Sequence, residues 1–211
     1  MNPSGDTVFI VDDNPSVRRG LSRLMRSAGM DVRAFASADE FLAEAAAPDT
    51  CGCAVLDLHL PGLDGLELQR RMAENGVRLP AVFISGNADI PSTVAAMQQG
   101  ALTFLTKPVD DADLLAAVRK GIERCRRHLA ASTAVREIRG RIALLTEREK
   151  EVMAYMITGT LNKQIAAALG IVEKTVKVHR HRVFEKMEAA SIADLVRICD
   201  AAGFAGLRPA P

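Results

Sequence analysis

Asp12 and Asp13 stand side by side where the apolar run "VFIV" ends and the helix-like stretch "NPSVRRGL" begins. Further along, Asp57 closes the run "CAVLD", Ser85 closes "AVFIS", and Lys107 follows "TFLT" directly ahead of Pro108. Three carboxylates brought together repel one another and raise each other's pKa unless a cation joins them. A hard divalent ion with oxygen ligands, held by few carboxylates and keeping waters for an incoming phosphate, suits such a set, and magnesium has that preference. Asp12 and Asp13 are therefore candidates for the acidic wall of a Mg2+ site. A helix cap is the competing explanation, since Asp, Asn and Pro all suit a helix start. It accounts for one carboxylate and leaves the other, with Asp57 and Lys107, as coincidence.

These groups can meet only if the elements before them end on one edge. Short β-rich apolar runs recur at Val8 to Val11, Val32 to Phe35, Cys53 to Leu56, Ala81 to Ile84 and Thr103 to Leu105. Between them lie stretches with helical spacing, such as Val17, Leu21, Leu24 and Met25, or Leu66, Leu68 and Met72. Strands alternating with helices predict right-handed crossovers and a doubly wound, five-stranded parallel sheet covered on both faces. In such a sheet ligands sit beyond the carboxyl ends of the strands, where the strand order reverses, and that is where Asp12, Asp13, Asp57, Ser85 and Lys107 fall.

The chain has 211 residues and is 48% hydrophobic, enough for two modest domains. Its net charge of +1 conceals a split. Residues 1–127 carry 14 Lys and Arg against 17 Asp and Glu, and residues 128–211 carry 13 against 9, so the two parts stand at −3 and +4. An acidic front and a basic back predict domains with different partners. The longest apolar runs fall short of a membrane span, and "MNPSGDT" has no basic stretch leading into an apolar one, so no membrane partner and a cytoplasmic address are expected. Four cysteines without a repeating pattern are expected as reduced thiols rather than metal ligands.

The stretches "VDDNPSVRRGL", "AVLDLHLPGLDGLEL" and "PAVFISGNADIPSTVAAMQQGALTFLTKP" together resemble the receiver domain of bacterial two-component response regulators, over residues 6–125. The resemblance implies a flavodoxin-like strand order, 2-1-3-4-5. It implies Asp57 as phosphoacceptor, a carboxylate nucleophile that takes a phosphoryl group from a sensor histidine kinase. Asp12, Asp13, Asp57 and the backbone carbonyl of His59 would hold Mg2+, Lys107 would pair with the phosphoryl oxygens, and Ser85 would hydrogen-bond them. The Lys107–Pro108 peptide would be cis. Ser85 and Phe104 would form the switch, although an apolar residue in a buried strand is more often simply core. The His59 side chain and Asn87 are expected to flank the site and modulate access of the water that removes the phosphoryl group.

Behind the receiver, Leu114, Leu115, Val118, Ile122, Cys125 and Leu129 keep helical spacing, and Ile138, Ile142 and Leu145 resume it. Residues 126–141 are thus expected as a helical linker, with "AASTAV" its weakest point; two helices separated by a solvated spacer is the open alternative. "LTEREKEVMAYMITG" begins with Thr146-x-x-Glu149, a capping box. "NKQIAAALG" is a short helix stopped by Gly170, and "EKTVKVHRHRVFEKM" a third helix carrying five Lys and Arg against two Glu. A charge run on a helix is usually a solvated face. Here it is single-signed and sits on the second helix of a pair joined by a Gly-containing turn, which describes a helix-turn-helix.

Residues 142–205 resemble the LuxR-type helix-turn-helix, leaving 206–211 as a tail, and the whole resembles the FixJ branch of the NarL/FixJ response regulators. Two departures stand out: Val172 where Ser or Thr is common, and Thr160-Leu161 where Leu-Ser is common. Carried over by position, Lys177, Val178 and His181 would face base edges, while Asn162, Lys163, Thr175, Arg180, Arg182 and Lys186 would hold phosphates. A last helix, "SIADLVRICDAAG", carries Leu195, Val196 and Cys199 as an apolar face and in the family dimerises on DNA.

The expected function is that of a transcription factor controlled by phosphorylation of Asp57. It would form a homodimer when phosphorylated and bind promoter DNA, with activation the expected sign and RNA polymerase a further partner. An aspartyl-phosphate hydrolase of the haloacid dehalogenase type would want a second Asp two residues after the nucleophile, and His59 stands there. A ligand-sensing LuxR-type regulator would want an aromatic-lined pocket, which a chain with no Trp and one Tyr does not supply.

Overall fold

The computed structural model describes residues 6–44, 51–86 and 90–207, and divides into two compact units, residues 1–129 and 130–211. In the first, β1 (Thr7–Val11), β2 (Asp31–Phe35), β3 (Gly52–Asp57), β4 (Ala81–Ser85) and β5 (Thr103–Thr106) alternate with α1 (Pro15–Ser27), α2 (Ala38–Glu44), α3 (Gly65–Glu74), α4 (Ile90–Gln98) and the first part of α5 (Asp111–Ala143), whose residues from 130 on belong to the second unit. All strand pairs are parallel, in the order β2-β1-β3-β4-β5. The order reverses at β1 and β3, so their carboxyl ends open side by side.

Side chains alternate across a strand, and β1 shows the consequence. Phe9 and Val11 enter one core cluster with Phe41, Leu56, Leu68 and Phe83, whereas Val8 and Ile10 enter another with Met25, Val55, Leu114 and Val118. A sheet buried on both faces has little freedom to slip, because a one-residue shift would exchange the two clusters.

Helix α1 starts at an Asn14 cap, whose Oδ1 accepts from the N–H groups of Ser16 (2.9 Å) and Val17 (3.4 Å), with Pro15 in the first turn. Neither aspartate is the cap of this helix, so the competing explanation for the pair falls away. Helix α5 runs through "AASTAV" without a break, as one helix of 33 residues.

In the second unit the capping box forms as its spacing predicts. Thr146 Oγ1 accepts from the Glu149 N–H (3.3 Å), and Glu149 Oε2 accepts from the Thr146 N–H (2.9 Å), opening α6 (Glu147–Met156). Helix α7 (Asn162–Leu169) ends at Gly170 in the left-handed conformation, φ 63°, the conformation glycine adopts without Cβ strain. Helix α8 (Glu173–Met187) starts at Val172 with no side-chain cap, as the departure there leads one to expect. Helix α9 (Ile192–Ala202) is capped by Ser191, whose Oγ accepts from the Asp194 N–H. Val152, Met153, Ile165, Val176, Val183 and Met187 form the core of this unit, joined by Ile138 and Ile142 from the end of α5.

On α9, Leu195 and Cys199 are fully buried in this core and hold the unit together, while Val196 is half-buried. Among the described residues no helix is long and apolar enough to cross a membrane.

Candidate functional sites

At the carboxyl edge of the sheet, Asp12 is fully buried, Asp57 nearly so and Asp13 exposed. Each can place a carboxylate oxygen within 4.8 Å of the other two. At that separation two unit charges repel by about 3 kcal/mol at the effective dielectric typical of protein sites. Lys107 answers part of this: its Nζ lies 2.8 Å from Asp12 Oδ2 and 3.0 Å from Asp57 Oδ2. Burial alone would lower the Lys107 pKa, but its hydrogen bonds to the two carboxylates outweigh burial and raise it, so it stays a cation. Three carboxylates and one ammonium leave a formal charge of −2, with Lys107 paired to Asp12 and Asp57.

Backbone contacts fix the parts. The Lys107 N–H donates to the Ser85 carbonyl at 2.8 Å, continuing the β4–β5 pairing, and the following peptide to Pro108 is cis. Asp12 Oδ1 accepts from the Asn14 N–H at 2.8 Å, which fixes the carboxylate and aims Oδ2 at Lys107. Arg18, not anticipated from the sequence, donates from Nη1 to the carbonyls of Asp12 (2.6 Å) and Asp13 (2.9 Å), tying α1 to the acidic corner. Gly65 was equally silent: a Cβ there would lie 2.4 Å from the Asp57 carbonyl oxygen, so only glycine lets α3 start against the acceptor residue. Asp64 caps that helix through the Glu67 N–H.

Ser85 is fully buried, and its Oγ lies 3.2 Å from His59 Nδ1. Phe104 is half-buried and stacks on Phe83, with ring centres 6.4 Å apart and planes at 16°. Asn87, expected beside the site, lies outside the described residues.

In the second unit, Lys177, Val178, His181 and Arg182 are exposed along α8, and Lys163 is exposed on α7. Asn162, Thr175 and Arg180 are half-buried, and partial burial lowers the Arg180 pKa. Lys177 and His181 each lie 3.6 Å from a glutamate one turn away on the same helix, contacts loose enough to yield to another partner. Lys186 does not belong with this set. Its Nζ lies 2.6 Å from Oε2 of the buried Glu149 and 3.1 Å from the Leu144 carbonyl, so its charge is spent inside the unit rather than held out for a phosphate.

A switch-point acidic cluster with a bridging lysine, in a chain that also carries a basic helix-turn-helix, defines a phosphoacceptor domain joined to a DNA-binding domain. Comparison with known families agrees in both parts. The family described as "Response regulator receiver domain" matches residues 8–119, and that described as "Bacterial regulatory proteins, luxR family" matches residues 143–199. Nodulation protein W of Bradyrhizobium diazoefficiens is 45% identical over 196 residues, covering 93% of this chain and 86% of that protein. Transcriptional regulatory protein FixJ of Rhizobium meliloti is 40% identical over 203 residues, covering 94% and 97%. Among solved structures, that of the response regulator StyR superposes with a TM-score of 0.86 at 42% identity, covering 93% of this chain and 99% of that one. Full-length FixJ from B. japonicum gives a TM-score of 0.57 at 36% identity, covering 94% and 97%.

The chain belongs to the response regulators with a receiver domain and a LuxR-type DNA-binding domain. It is a transcriptional regulator of a two-component system and not an enzyme, and membership implies a histidine kinase and promoter DNA as partners.

Proposed function

We propose that a histidine kinase phosphorylates Asp57, and that the phosphorylated chain forms dimers whose two helix-turn-helix units occupy neighbouring half-sites on promoter DNA. The observation that carries this reading is the meeting of Asp12, Asp13 and Asp57 around Lys107. An Asp57 carboxylate oxygen forms a bond to phosphorus as the phosphorus–nitrogen bond to the kinase's histidine breaks, leaving an acyl phosphate. Lys107 already touches Asp57 and would follow the charge onto the phosphoryl oxygens, and the Ser85 hydroxyl would hydrogen-bond them.

The donor set fits Mg2+: three carboxylate oxygens and the His59 carbonyl are hard ligands, and the formal charge of −2 matches a divalent ion. When bound, the ion would neutralise charge developing on the transferring group. Dimerisation is supported by α4, where Ile90, Val94 and Met97 lie three and four residues apart and are 81%, 46% and 46% exposed. On DNA, Lys177, Val178 and His181 would face base edges, while Asn162, Lys163, Thr175, Arg180 and Arg182 would hold phosphates. Sedimentation with and without beryllofluoride tests the coupling: the dimer fraction rises with the phosphate mimic, and an unchanged mass at every concentration would refute dimerisation as the output.

A further inference from the structure

The serine that would answer the phosphoryl group already has a partner. His59 follows Asp57 by two residues, and its backbone N–H points to Asp57 Oδ1 at 3.4 Å. Its ring turns toward β4, where Nδ1 lies 3.2 Å from Ser85 Oγ. We infer that the His59 side chain is a positioning residue that restrains phosphorylation-dependent switching by holding the Ser85 hydroxyl, for which a phosphoryl group on Asp57 must compete. The inference rests on the proposed role of Asp57.

A serine hydroxyl carries one proton, and a neutral imidazole has one accepting and one donating nitrogen. His59 is exposed while Ser85 is fully buried; with the ring proton on Nε2, where water receives it, Nδ1 accepts from Ser85, and this is the tautomer on which the inference depends. One O–H cannot point at both Nδ1 and a phosphoryl oxygen. Forming the phosphorylated arrangement therefore breaks the imidazole contact, while Ser85 itself is held in place: the Lys107 N–H sits on its carbonyl at 2.8 Å, and it pairs with Thr106 in the sheet. The active state forgoes one neutral hydrogen bond, which corresponds to about a two- to tenfold weakening of phosphate-mimic binding.

The test is a beryllofluoride titration in Mg2+, followed by calorimetry or fluorine resonance because the chain has no tryptophan. It uses wild type, His59→Ala, Ser85→Ala and the double variant. The expected result is tighter binding in His59→Ala by about two- to tenfold, weaker binding in Ser85→Ala, and no effect of His59→Ala once Ser85 is absent. His59→Phe, which keeps a ring but has no acceptor, should behave as His59→Ala. An equal gain in both Ser85 backgrounds, weaker or unchanged binding in His59→Ala, or a His59→Phe variant indistinguishable from wild type would each overturn the inference and leave the phosphoacceptor reading intact. Wild type that binds no mimic would overturn both.

Discussion

Lys186 and Arg182 sit four residues apart on one basic helix, yet Lys186 is paired to a buried glutamate while Arg182 is exposed, and replacing each with alanine tests whether the two do different work. Lys186 is 34% exposed and meets a Glu149 carboxylate that is 2% exposed, at 2.6 Å. Arg182 is exposed and makes no ion pair among the described residues. Breaking a buried pair by removing one partner costs about 3–5 kcal/mol, and the partial exposure of Lys186 lets water in, so Lys186→Ala is expected to cost about 2–3 kcal/mol. In a unit of this size that lowers the unfolding midpoint by about 10–20 °C. The reporter is built in: Tyr155, the only tyrosine of a chain without tryptophan, lies on α6 against the core of the second unit, so tyrosine fluorescence follows that unit alone. Burial would raise the Glu149 pKa, but the hydrogen bonds from Lys186 and from the Thr146 backbone outweigh it and lower it. A lowered carboxylate pKa contributes stability that is present above the unfolded value, about 4.3, and is lost as pH falls through the folded one. The gap between wild type and Lys186→Ala should therefore be full at neutral pH and close below about pH 4. On DNA the ranking reverses, with Arg182→Ala shallowing the salt dependence by about one counterion and Lys186→Ala leaving it unchanged. A Lys186→Ala protein of wild-type stability with a shallower salt slope would refute the assignment.

Three further outcomes follow from other contacts. Gly65→Ala forces a Cβ to 2.4 Å from the Asp57 carbonyl and 2.9 Å from the Phe83 ring, so it should destabilise the first unit by about 1–3 kcal/mol in urea unfolding and reduce labelling by a phosphodonor. Cys51 and Cys53 have pKa values pushed up by burial to about 11 and about 12, so both should alkylate slowly at neutral pH and faster as pH rises, measured by mass spectrometry. Lys177→Ala should cost about 1–3 kcal/mol at a cognate site and less on random DNA, whereas equal losses would place this helix wrongly in the groove.

The parallel sheet and its acidic corner were legible because both rest on local pattern. Apolar runs of strand length announce β1 to β5, and the switch-point rule converts their ends into a short list that includes Asp12, Asp57 and Lys107. The capping box of α6 was legible for the same reason, since both partners lie within four residues. Contacts that depend on distant segments were not. Nothing near Lys186 in the chain distinguishes it from Arg182, because its partner Glu149 lies 37 residues away on another helix. Ser85 and His59 are 26 residues apart and meet only because β3 and β4 pair in register. Helical spacing showed that Leu195 and Cys199 share a face of α9 but not what that face packs against, which is the core of their own unit. Gly65 read as an ordinary residue after a helix cap, and its need for a bare Cα appears only once the Asp57 carbonyl stands beside it.

Whether Asp57 accepts a phosphoryl group is measured directly by labelling of the full chain with isotopically marked acetyl phosphate in Mg2+, with Asp57→Asn in parallel. Wild type is expected to take up a hydroxylamine-sensitive label that requires the metal, and Asp57→Asn to take up none. An equally hydroxylamine-sensitive label retained in Asp57→Asn, or a wild-type chain that stays unlabelled, would contradict that role for Asp57.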